Sequence, residues 1–387
     1  MNKDFSHLTP TQLIELRDRY YAGEVVKELE KEYDLSFPLS SRVSNFPPIQ
    51  YHDRLCPYCA IPMISTCRTR RHLDYMAHAM SCPTCGHTPN RYFGCQCTNC
   101  QKDEQEKNKQ LQKELRQYYS VQPQPVDFCT LSLKNKVYLG ALCRELLSED
   151  LSRILPLRGS NKHLSPTTKL TDQIYTSLLE AGAIVVSPNS PLTAFDLEHA
   201  SFPTVFLKDA VEYRLNLVFP EKTSELITSI FSPIYYSSEN LSQEISDIHN
   251  EIAVSECIEY LLFQMNNVHF SFSPGEKTYK TFEIILQDFS VSQTYGIIWK
   301  AVADASKQYL ERRYTKQHAA NIVIGSCERY AARAKLNNWQ LPQYRRPREI
   351  QQSALSHYFY YRVINIGDDG FNSPLHKFYK STLDTDI

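Results

Sequence analysis

Cys82–Cys100, CPTCGHTPNRYFGCQCTNC, sets five cysteines and one histidine in nineteen residues. Thiols at that density serve either as disulfides or as metal ligands, and the choice decides what fold this part of the chain can have. The 387-residue chain is 42% hydrophobic and 22% charged, a globular composition with room for several domains. It opens on MNKDFSHLTPTQLIEL, with no basic leader ahead of an apolar run, and no uninterrupted apolar stretch approaches about eighteen residues. A soluble cytoplasmic protein without a membrane partner is therefore expected. In that reducing compartment clustered thiols are metal ligands.

Eight of the twelve cysteines lie between Cys56 and Cys100. Cys129, Cys143, Cys257 and Cys327 stand singly in apolar or helical surroundings and read as small core residues. Within the cluster, CPYC (Cys56, Cys59) and CPTC (Cys82, Cys85) are separated by twenty-two residues. A two-residue gap lets both thiolates of a turn face one tetrahedral ion, and the ion replaces a core that about forty residues cannot build alone. Each pair has Pro after its first Cys, and the second continues with Gly86. This CPxCG knuckle resembles the zinc-ribbon fold group over about a tenth of the chain and assigns one structural Zn2+ to Cys56, Cys59, Cys82 and Cys85. Cys95, Cys97 and Cys100 form a C-x-C-x2-C triplet, so a second Zn2+ needs one more donor. His87 closes the shorter loop and is preferred on closure entropy. Cys67 is the softer alternative, and a cross-braced mixing of the pairs stays open.

A catalytic ion keeps an open position and usually has a carboxylate beside it as base. Cys56–Cys100 contains no Glu, its single acid is Asp74, and no H-x-E accompanies the CxxC pairs, so the expected ions are structural. Elsewhere the chain lacks a complete phosphate loop, a G-x-S-x-G elbow and H-E-x-x-H. His318 and Asn321, beside Arg312, Arg313 and Lys316, are the best remaining enzyme candidates; a nuclease or toxin with an unrecognised C-terminal site is the rival they support. No catalytic constellation is assigned.

Across Tyr51–Cys100 five Arg and no Lys stand against Asp53 and Asp74, a formal +3. Arg68, Arg70, Arg71 and Arg91, followed by Tyr92 and Phe93, suit phosphate contact and base stacking. The plainer alternative is a surface that docks protein. Ahead of the cluster, LTPTQLIELRDRYY has Leu13, Ile14, Leu16 and Tyr20 at helical spacing, with Thr9 as N-cap and Pro10 at the first helical position. VVKELEKEYDLS gives a second short helix, and PLSSRVSNFPPI one or two further turns. Three short helices in about forty residues resemble the homeodomain-like or resolvase-like helix-turn-helix. The resemblance implies that Ser41, Arg42 and Asn45 face bases or phosphates of DNA. Front ends of this kind resemble those of regulators and of proteins from mobile elements or phage-defence operons.

The expected architecture is multidomain and mainly α with small α+β parts. A helical trio occupies 1–50, a zinc-ribbon-like unit 51–101 and a polar helical spacer 102–126. From 127 to 220 the order helix, helix, strand, strand resembles a winged helix, with another small α+β unit as alternative. Residues 221–387 are helix-rich, and their aromatics read as core. Glu239–Glu259 carries a formal −6 and Glu311–Glu349 a formal +6. Arg345, Arg346 and Arg348, near Trp339 and Tyr344, can follow a nucleic-acid backbone or pair with those acids. The back end is expected to dock a protein partner or a second copy.

Overall fold

The computed structural model describes residues 5–72, 79–89, 94–121, 123–197, 202–218, 228, 230–231 and 241–374. Over these the chain is mainly helical with two small antiparallel sheets, and it divides into two compact units, Met1–Lys113 and Glu114–Ile387. No helix among the described residues is long and apolar enough to cross a membrane.

The first unit begins with α1 (Pro10–Tyr21), where Thr9 and Gln12 form a reciprocal capping box and Pro10 takes the first helical position. α2 (Val26–Glu32) follows. Leu16, Tyr20 and Leu29 are buried with Phe5, Leu39, Val43 and Phe46 in one small core. The third helix differs from expectation: PLSSRVSNFPPI makes two single 3-10 turns, Leu39–Ser41 and Val43–Asn45. Pro38 and the Pro47–Pro48 pair bracket this stretch and bar helix from continuing on either side. Tight turns instead let Leu39, Val43 and Phe46 all reach the core. The helix-turn-helix resemblance therefore lacks the α-helix that reads a groove. β1 (Ile49–Leu55) and β2 (Pro62–Ser65) pair antiparallel, with Ile49 opposite Ser65. α3 (Thr98–Ser120) then runs through the polar spacer; Leu115 is its buried residue.

The second unit opens with α4 (Leu133–Leu146) and α5 (Thr168–Glu180), followed by β3 (Ile184–Val186) and β4 (Tyr213–Leu215), which pair antiparallel. Each strand has three residues, and residues 187–212 connect them, a far longer link than a wing hairpin. α6 (Leu241–Asn267), α7 (Glu276–Leu286), α8 (Val291–Leu310) and α9 (Lys316–Leu336) come next. α10 (Ala354–Tyr358), a π-turn over Phe359–Val363 and α11 (Asp369–Asn372) complete the unit. Two apolar cores form. One gathers Tyr138, Tyr175, Tyr213 and Tyr358; the other gathers Phe282, Tyr295, Ile298 and Val323. α6 serves both, giving Ile248 and Ile252 to the first and Cys257, Leu261 and Met265 to the second. Gly140 is required where α4 meets α10, because a Cβ there would lie 2.3 Å from the Tyr358 ring.

Where α6 passes from one core to the other it buries a charge. Glu256 is fully buried, accepts from Arg346 Nη2 at 2.8 Å and from Ser356 Oγ at 2.7 Å. Three residues on, Glu259 pairs with His163 Nε2 at 3.1 Å. The acidic stretch and the basic segment thus meet inside this unit in the ion pair of Glu256 with Arg346. Four core assignments change. Cys129 is exposed, unlike Cys143, Cys257 and Cys327, and Trp299, Trp339 and Tyr309 are 46%, 45% and 37% exposed.

Candidate metal centres

The first cluster is made by two turns with one hydrogen-bond pattern. After β1, Cys56 N–H donates to Ile61 O at 2.9 Å and Ala60 N–H returns to Cys56 O at 2.9 Å. In the second turn Cys82 N–H donates to His87 O at 2.8 Å and Gly86 N–H to Cys82 O at 2.9 Å. The pattern requires a left-handed residue just past the second cysteine, and Ala60 (φ 56°) and Gly86 (φ 70°) supply it. The Ile64–Ser81 bridge sets the second turn beside the hairpin. Sγ atoms of Cys56, Cys59, Cys82 and Cys85 then all lie within 4.8 Å of one another, with Cys56 and Cys85 3.6 Å apart. Sulfurs around one ion at about 2.3 Å stand roughly 3.8 Å apart in a tetrahedron, so the four thiols fit a single metal ion. Met63 and Met80 pack with Cys56 and Cys82 beneath it.

The second cluster is His87, Cys95, Cys97 and Cys100, whose donor atoms also lie within 4.8 Å of one another. His87 Nδ1 is 3.2 Å from Cys100 Sγ and 4.0 Å from Cys97 Sγ. His87 therefore serves twice: its carbonyl closes the second turn of the first cluster, and its ring belongs to the second. Cys100 lies in the first turn of α3, and its N–H donates to Cys97 Sγ at 3.5 Å. Cys67 belongs to neither group. It is buried in the helical core, with Sγ 3.4 Å from Pro47 O, and burial pushes its thiol up.

The backbone prepares particular sulfurs for metal. Burial opposes ionisation of Cys82, but N–H groups of Cys85 and Thr84 bring its thiol down to about 7. Cys95 comes down to about 6 against the same opposition, through Thr88 and Cys97 N–H at 3.2 and 3.4 Å. Cys85, half-buried, is pushed up to about 12 by desolvation and by the neighbouring thiols. A thiol held up in this way must lose its proton to become a ligand, so metal uptake at Cys85 would release protons.

Tyr58 is a functional residue that sequence reasoning misses. It is the third residue of CPYC, yet its hydroxyl donates to Asp103 Oδ2 at 2.6 Å and lies 3.3 Å from Cys100 Sγ. Its ring stands edge-on to His87 at 5.2 Å. One side chain from the first cluster therefore orients two donors of the second.

The arginines fare unequally. Arg42, Arg68 and Arg71 are exposed, and Arg68 N–H is held by Tyr21 Oη at 3.1 Å. Arg70 turns inward: it donates to Tyr20 O and, at 2.7 Å, to Glu24 O, with its guanidinium 4.3 Å over the Tyr20 ring. Those contacts tie the segment after β2 to α1 and leave Arg70 unavailable to phosphate. Arg346 is likewise committed to Glu256, whereas Arg345 and Arg348 are exposed. Ser41 Oγ donates to Pro38 O and Asn45 Oδ1 accepts from Ser44, so both are spent on their own turns. Arg91 lies outside the described residues. His318 and Asn321 are both exposed on α9, and Asn321 accepts from Gln317. No protein-family model matches the chain, and searches of curated proteins and of solved structures give no significant match.

Proposed function

We propose that this chain is a zinc-stapled nucleic-acid-binding protein, with DNA its first ligand, that works by binding and not by chemistry. The observation that carries the reading is the pair of four-donor clusters. Four thiolates in one, and three thiolates with an imidazole in the other, are donor sets of closed structural zinc sites, which leave no position for a substrate. The ions would fix a small scaffold carrying Arg42, Arg68 and Arg71 at the surface, where arginine forks contact phosphate. Titration of the purified full chain with duplex DNA, single-stranded DNA and RNA at two salt concentrations tests this. A steep fall of log K with log salt supports it, and affinity that ignores salt sinks it. Metal analysis of the same sample is expected to return one or two zinc ions per chain.

Docking of a polypeptide is the second reading, favoured by one observation. Arg19 and Arg70 are consumed by internal partners, Glu24 and Glu32 for the first and the α1 carbonyl end for the second. That leaves a more modest positive surface than the sequence suggests. Such an adaptor shows no salt-dependent DNA affinity.

A further inference from the structure

Both tryptophans of the chain are about half exposed in the second unit, Trp299 on α8 and Trp339 just past α9. Each lies against a tyrosine: Trp299 and Tyr344 have ring centroids 6.2 Å apart, Tyr330 and Trp339 5.7 Å. The strap that follows α9 holds these rings in place. Trp339 N–H donates to Ala334 O at 2.9 Å, and Tyr344 N–H to Ser292 O at 3.0 Å. Gln293 Nε2 holds Leu341 O at 3.4 Å. Gly296 admits the Tyr344 ring, since a Cβ there would lie 2.9 Å from it. The rings are thus held on α8, α9 and the strap before any ligand arrives, which lowers the ordering cost of binding.

Charge around them is uneven. Arg333, Arg345 and Arg348 are exposed and form no ion pair among the described residues. Three other cations of the segment are ion-paired, Lys335 with Asp288 at 2.7 Å, Arg313 with Glu311 at 2.9 Å and Arg346 with Glu256, while Arg312, Lys316 and Arg329 are exposed like the first three. The exposed acids of the stretch are Glu328 and Glu349 beside those arginines, and Glu311 farther along. A cleft of about 540 Å³ opens beside Tyr344 and Arg345, with Gln343, Gln352 and Asn372 offering amides and Phe371 a ring. That size falls within the range of small-ligand sites.

The half-exposed Trp299 and Trp339 rings, with exposed Arg333 and Arg345 on the same helix and strap, are complementary to a strand whose bases are unstacked; a duplex hides those π-faces. We propose that the strap and the α8–α9 face beneath it bind single-stranded nucleic acid. Bases stack on the Trp299–Tyr344 and Tyr330–Trp339 pairs, and phosphates lie on Arg333 and Arg345. This deepens the proposed function, on which it rests for the class of ligand.

Because no other tryptophan exists in the chain, intrinsic tryptophan fluorescence reads this surface alone. The full chain is titrated with a labelled oligo-dT, following label anisotropy and tryptophan emission together, and with a hairpin duplex for comparison. Emission is expected to quench in step with anisotropy for the single strand and to change little for the duplex. Trp339→Ala should weaken oligo-dT binding roughly tenfold, and Trp339→Phe should keep most of it. Arg345→Ala should lower the salt slope by about 0.7. Binding that leaves emission unchanged, or a Trp339→Ala variant with wild-type affinity, overturns the proposal. The first-unit reading fails separately, if Arg42, Arg68 and Arg71 all changed to Ala leave duplex affinity intact. Absence of binding to any nucleic acid sinks both.

Discussion

The two units stabilise themselves by different means. In the second, two apolar cores are threaded by one 27-residue helix, and one carboxylate oxygen of its buried Glu256 is held by Arg346 and Ser356. In the first, the helical turns share one small core, while the hairpin and knuckles bury Met63, Met80 and little else besides the ligands Cys56 and Cys82. Apolar volume is scarce there, and on the zinc reading proposed above coordination supplies what burial does not. On that reading the first unit is the part that should answer to chelators and the second the part that should answer to cavities and buried charges.

Removing metal is the strongest way to break that comparison. A chelator, or Cys82→Ser, is expected to expose the amides of β1 and β2 and of the Ile64–Ser81 bridge to hydrogen exchange while α8 keeps its protection. Equal protection in both halves after chelation would show that the knuckles stand without an ion. The next largest effect belongs to the second unit. Arg346→Met strands the fully buried Glu256 and should cost about 3–5 kcal/mol, read by urea denaturation. Adding Glu256→Gln should restore much of the loss, because the penalty lies in the unpaired charge and not in the missing contact.

What the sequence makes legible follows the same division. Cysteine spacing needs no long-range information, so CPYC, CPTC and the C-x-C-x2-C triplet announce their groups, and His87 over Cys67 follows from loop closure. Helix periodicity places α1, α2 and α4 to α9 for the same local reason. Contacts between distant segments are not legible. Tyr58 reaches Cys100 and Asp103 across more than forty residues, with nothing in CPYC to mark it. Arg70 looks like a phosphate ligand because its neighbours are basic, yet the carbonyl oxygens of Tyr20 and Glu24 claim it. The third N-terminal segment has the one or two turns expected of it before Pro47, but they are 3-10 turns and not the α-helix that the helix-turn-helix resemblance needs.

Acid should separate the units further. His249 is buried on α6 with its ring edge-on to Tyr360 at 5.2 Å, and burial lowers its pKa from 6.5 to about 4. As pH falls below 6.5 the unfolded chain takes up a proton that the folded chain refuses. The second unit should lose stability progressively between about pH 6.5 and about pH 4, by up to about 3 kcal/mol. His163 acts in the opposite sense. Its hydrogen bond to Glu259 raises its pKa, so its contribution is kept in acid and lost as pH rises through the folded value. Urea midpoints at pH 7 and pH 5 should differ less for His249→Leu than for the wild type.

Tyr58→Phe is the mildest and most local probe, because it keeps the ring against His87 and removes only the hydroxyl between Cys100 and Asp103. Groups that orient metal ligands through hydrogen bonds typically change metal affinity 10–100-fold when removed. Here the effect should fall on one cluster only. Cys56, Cys59, Cys82 and Cys85 do not touch the hydroxyl, whereas Cys100 lies 3.3 Å from it. In competition with a graded series of chelators, the variant should release one equivalent of metal earlier than the wild type and the other unchanged. Simultaneous earlier release of both would mean that the clusters behave as one centre, coupled through the His87 residue they share.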